Sequence, residues 1–175
     1  MIRILRAVLA AGLLLTDARV EAADGVARLR GRFVELYTGR AVQGRAHRTA
    51  AMAALQAEVE TLIARQAKAD EPRPPRPAKL ARSLTQRSGE ILAMALAYRT
   101  PDSGLHRSQK LLLRIQDKLR QLLPQVRPGS PRPGGFFHWG IGIPMRLGPA
   151  LVLLGDDLDP QLRTEGRTAL EDLLD

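Results

Sequence analysis

The chain has 175 residues, 45% of them apolar and 3% aromatic, with no cysteine and a net charge of +9. That length holds one domain with a real core, and because Ala and Leu make up much of the apolar share, helices are favoured over strands. Disulfides, thiolate metal sites and a cysteine nucleophile are excluded; the arginine-rich charge suits either a solvated surface or a polyanionic ligand, nucleic acid or acidic polysaccharide.

Met1 to Ala22 reads as a secretory signal peptide. Arg3 and Arg6 form a basic start, Ala7 to Leu15 an uninterrupted apolar run, and Val20-Glu21-Ala22 the small residues before a cleavage site at Ala23. The run is too short to span a bilayer. Removing 1–22 takes away Arg3, Arg6 and Arg19 against Asp17 and Glu21, so the mature chain keeps about +8. The expected location is secreted or periplasmic, with residues 23–175 as one helical domain.

The spacing of Val26, Leu29, Phe33 and Leu36 predicts a first helix over 25–37, stopped at Thr38-Gly39. A longer helix is predicted over 45–69, with Met52, Leu55, Val59, Leu62 and Ile63 on one face. Residues 71–77 (Glu-Pro-Arg-Pro-Pro-Arg-Pro) read as a non-helical surface connector, since proline removes donors and forces extended geometry. Helices follow over 84–99 and 105–123, the latter ended by Pro124. Pro144 suits the first turn of a helix reaching Leu154, with Gly155 as its stop. Asp159-Pro160 is a cap and first position for a last helix carrying Leu162, Ala169, Leu170, Leu173 and Leu174. Leu170, Leu173 and Leu174 would want a further element to cover them. No segment alternates with period 2, so the fold class is all-α, in antiparallel helix pairs.

Three of the six aromatic residues fall in Phe136-Phe137-His138-Trp139, between the Pro/Gly stretch 128–135 and Gly140-Ile141-Gly142-Ile143-Pro144. A ring cluster at a loop-to-helix junction offers flat apolar faces to a sugar or a base, or else plugs the end of a helix bundle. His47, His106 and His138 are isolated and lack a metal-ligand partner at i+3 or i+4. Asp156-Asp157 reads as a solvated helix end. No phosphate loop, dinucleotide fingerprint or nucleophile elbow is present, and no residues form a self-sufficient catalytic set.

The run Phe136-Phe137-His138-Trp139-Gly140-Ile141-Gly142-Ile143-Pro144, continuing through Ala150-Leu151-Val152-Leu153-Leu154-Gly155-Asp156-Asp157-Leu158, resembles the family 8 polysaccharide lyases (the hyaluronate, chondroitin AC and xanthan lyases). Their pattern is Asn-Trp-Trp-(Asp/His)-Trp-(Glu/Gln)-Ile-Gly-(Ile/Val)-Pro. Residues 91–105 and 31–39 are similar to earlier helices of the same family, so the likeness covers most of 25–175. It implies part of an incomplete α/α toroid of paired helices, in an enzyme that cleaves an acidic polysaccharide by β-elimination and needs no cofactor. Phe136 and Phe137 take the two patch tryptophan positions, His138 the Asp/His position and Trp139 the third tryptophan, as substrate-binding residues. Gly135 stands for the family's Asn, Gly140 for its acid or amide, and Gly148-Pro149 for a polar pair, with Pro149 inside the proposed helix. The family's catalytic Asn, His, Tyr and Arg lie beyond position 175, so the resemblance implies no catalytic residue here and no lyase activity for this chain alone. The expected partner is hyaluronan, chondroitin or a xanthan-like glycan. The alternative is a basic helical module that binds nucleic acid or a protein partner.

Overall fold

Alanine-rich and leucine-rich stripes at helical spacing account for every long element of the computed structural model, which describes residues 25, 27–36, 38, 45–68 and 77–175. The expected signal peptide, Gly39 and residues 71–76 of the connector lie outside the described residues. Helix α1 covers 27–36, α2 Arg45–Lys68, α3 Pro77–Arg99, α4 Gln109–Val126, α5 Pro144–Leu154 and α6 Pro160–Leu174. A π-helical turn, Phe137–Gly142, precedes α5, and a 3₁₀ turn, Gly155–Asp157, follows it. No strand occurs among the described residues.

Helix α3 is the hub, packing against α2, α4 and α5, while α6 lies against both α4 and α5. Its inner face is Ala81, Leu84, Ile91, Met94, Ala95 and Tyr98, all buried. Two helix boundaries depart from expectation. Pro77 is the first residue of α3 rather than the last of a connector, a position where its missing N–H costs nothing. The helix also starts seven residues ahead of Leu84, because Ala81 continues the buried stripe one turn back, and alanine is a quiet marker of a core face. Hydroxyls inside α3 are satisfied on the preceding turn: Thr85 Oγ1 donates to Ala81 O at 2.9 Å and Ser88 Oγ to Leu84 O at 2.8 Å.

Helix α4 begins at Gln109, capped by the Ser108 hydroxyl on the Leu111 N–H, so 105–108 belongs to the preceding turn rather than the helix. It runs past Pro124 to Val126. A proline in the last turn removes one hydrogen bond only, and the burial of Val126 beside Leu122 and Leu123 carries the chain onward. Helix α5 likewise continues through Pro149, with Leu147, Ala150, Leu153 and Leu154 buried on either side of it. Gly166 lets α6 approach closely, since a Cβ there would crowd the Leu151 side chain. Leu173 is buried and Leu170 partly so, whereas Leu174 is open to solvent.

The corner between α5 and α6 is an ion-pair knot. Gly155 adopts φ +50°, where a side chain is strained, and a Cβ there would overlap the Arg30 guanidinium. Arg30 pairs with Asp156 at 2.8 Å, and Asp156 also takes Arg163 at 2.5 Å. The hydrogen bond and charge of Arg30, helped by Arg163, hold the Asp156 carboxyl below the ordinary carboxylate range. Asp157 pairs with Arg99 at 3.0 Å. Burial, then the neighbouring Asp157 carboxylate, raises the Tyr98 phenol. The acidic pair is thus a solvated helix end, as expected, and its carboxylates also carry ion pairs to Arg30, Arg163 and Arg99.

Candidate glycan-binding ledge

The aromatic run is shaped by its flanks. Gly129 and Gly134 take φ of +75° and +97°, turning the Pro/Gly stretch back across α3. Ile143 N–H donates to His138 O at 2.9 Å, a five-residue span, and Pro144 next to it has no N–H to offer. With two glycines in six residues and a proline behind them, the backbone relaxes into a π-turn, a feature found often where a helix is reshaped for function.

That turn divides the aromatic side chains. Trp139 points inward and is 4% exposed, its indole N–H donating to Pro133 O at 3.0 Å. Phe136 and Phe137 point outward and are 77% and 61% exposed. Ile141 and Met145 follow Phe137 at four-residue intervals and are also exposed, extending an apolar ledge along the turn and α5. Two of the three rings read as open are open; the third is a core residue. The physical reason is the tether to Pro133, which turns the indole under the Pro/Gly stretch, where its N–H has a partner and its rings have an apolar bed.

Gly140, which stands where the family pattern has an acid or amide, has a specific place here. A Cβ at 140 would overlap the Phe136 ring, which lies over the bare backbone one turn on. The acid or amide expected at this position in the family pattern would displace that ring.

His138 is half-buried, with Nδ1 3.1 Å from Thr85 Oγ1, and its ring meets Phe137 edge-on at 5.8 Å between centroids. It also lines a cleft of about 550 Å³ between α2, α3 and α5. Arg65, Arg82, Thr85 and Arg146 line the same cleft. These four were not singled out as site residues from sequence, because they lie on three helices distant along the chain and none belongs to a local motif of known chemistry. No group of three or more metal-ligating side chains occurs among the described residues.

Residues 36–173 match the family model described as polysaccharide lyase family 8, N-terminal alpha-helical domain. The chain belongs to polysaccharide lyase family 8. What it holds of a family member is the N-terminal α-helical domain, a part of an α/α toroid. Among solved structures it is similar to a Paenibacillus xanthan lyase, at 22% identity with a TM-score of 0.72. That alignment covers 86% of this chain and 15% of the xanthan lyase chain, so the present residues span a small part of that protein's length. No curated protein matches the chain. Within this lyase domain the match includes the π-turn, Phe136, Phe137, His138 and Trp139.

Proposed function

We propose that this domain forms a wall of the substrate cleft of a secreted or periplasmic lyase that cleaves an acidic polysaccharide by β-elimination, and that Phe136 and Phe137 are its sugar-stacking surface. The observation that carries this reading is the pair of adjacent phenyl rings left open beside a buried tryptophan. Exposing two large rings costs hydrophobic stabilisation, about 25 cal/mol per Å² of apolar surface, so a partner that lies flat on them would recover it. The C–H faces of pyranose rings have that shape and polarity. Family membership supports an acidic polysaccharide as the substrate class.

In this reading Trp139 supports the ledge from beneath and His138 borders it. The helical domain binds and orients the glycan while the elimination itself belongs to other residues of the enzyme. Electrophoresis of the purified chain through gels containing hyaluronan, chondroitin or xanthan tests the binding. Retardation by at least one of these, lost on replacing both phenylalanines with alanine, is the expected result; equal mobility of wild type and double variant refutes it. No rise in ultraviolet absorbance from unsaturated uronate is expected with the chain alone.

A further inference from the structure

The cleft beside the aromatic ledge has a charge that ring stacking does not use. Arg65 of α2, Arg82 of α3 and Arg146 of α5 line it, against Glu58 of α2 and Glu90 of α3. Glu90 is already paired with Lys118 at 2.7 Å, which leaves the cleft with a basic excess. Arg146 is held in place: its Nη1 donates to Gly142 O at 2.7 Å, and its stem runs over Gly89, 3.4 Å from where a Cβ would stand. A guanidinium fixed through one nitrogen presents its remaining N–H groups as a prepared fork for a carboxylate.

The Thr85 hydroxyl carries one hydrogen and donates it to Ala81 O. In the tautomer with the ring proton on Nδ1, that oxygen accepts from His138 at 3.1 Å. Nε2 of that neutral ring is then an acceptor, and no described residue hydrogen bonds to it. A sugar hydroxyl is a donor of the right kind.

We propose that this cleft receives the carboxylate-bearing sugar of the glycan, with the carboxylate on Arg82 and Arg146 and a hydroxyl on His138 Nε2, while the neighbouring sugar lies on Phe137. The proposal rests on the glycan reading above and adds to it which sugar is read and by which residues. The edge-on contact of Phe137 with His138 makes the ledge and the cleft one continuous surface.

The test is calorimetric titration of the full chain with oligosaccharides of hyaluronan, chondroitin and xanthan, each also prepared with its carboxyl groups reduced to alcohols. For whichever binds tightest, reduction should weaken binding about tenfold. Arg82→Gln and Arg146→Gln should weaken the acidic form to a similar extent and leave the reduced form unchanged. Phe137→Ala should weaken both forms. If the acidic and reduced forms bind alike, or the two arginine variants bind as wild type while Phe137→Ala does not, the cleft assignment falls and the stacking surface stands. If no oligosaccharide binds at all, both fall. Thermal melts matching wild type keep the arginine variants interpretable, and nitrogen NMR showing the free His138 proton on Nε2 would overturn the hydroxyl contact.

Discussion

The inward and outward sides of the aromatic turn use the same residue class for opposite ends. Trp139 and Ile143 are sealed among α3, α5 and the Pro/Gly stretch, whereas Phe136, Phe137 and Met145, from the same ten residues, stand in solvent. One side has a hydrogen-bonded anchor and buried neighbours; the other has a glycine seat and open faces. The contrast teaches that clustering of aromatic residues marks the segment, while backbone geometry and polar partners decide which ring is structural and which is available to a ligand.

Substitutions can break that division. The largest effect is expected for Trp139→Ala, which leaves a cavity and an unpaired Pro133 carbonyl and should cost about 3–5 kcal/mol of stability, read as a fall in denaturation midpoint. Trp139→Phe keeps most of the apolar volume and should lose roughly 1–3 kcal/mol, mainly through the orphaned carbonyl. On the outward side, replacing Phe136 and Phe137 together with alanine should leave stability within about 0.5 kcal/mol. Glycan affinity should fall by about five-fold to a hundred-fold, from about 0.5–1.5 kcal/mol for each ring. A double variant that unfolds the domain would show that the two rings are core after all.

Smaller effects sharpen the same contrast. Gly140→Ala should push the Phe136 ring off its seat and weaken glycan binding a few-fold, with the melt nearly unchanged; unaltered affinity would mean that Phe136's placement over the backbone is immaterial. The least effect is expected far from the turn, at Asp156. Its carboxyl is held low in the folded state, so its contribution is present above the ordinary carboxylate pKa and is lost as pH falls through the depressed folded value. Asp156→Asn should therefore flatten part of the acid limb of a stability-against-pH profile and leave neutral-pH glycan binding untouched.

Much of this architecture is legible in the residues. The 3.6-residue stripes of α4 and α6, the Asp159-Pro160 start and the Gly155 stop each follow from local chemistry, and the motif around Gly142-Ile143-Pro144 points to the family. What escapes is of two kinds. Prolines at 77 and 124 read as breakers, yet each stands at a helix end where its missing donor matters little, and the burial of Ala81 or Val126 a few residues away decides the boundary. The inward turn of Trp139 depends on a carbonyl six residues earlier and on a π-turn that no spacing rule announces. The arginine cleft draws on α2, α3 and α5 together, so only the packed helices bring it into being.

The most direct measurement is an NMR titration of the chain with the acidic oligosaccharide that binds it best, following the ring signals of Phe136 and Phe137 and the indole N–H of Trp139. The account predicts that the phenyl signals shift and saturate with the ligand while the indole signal stays at its starting position. Movement of the indole signal with the phenyl signals unmoved would contradict it.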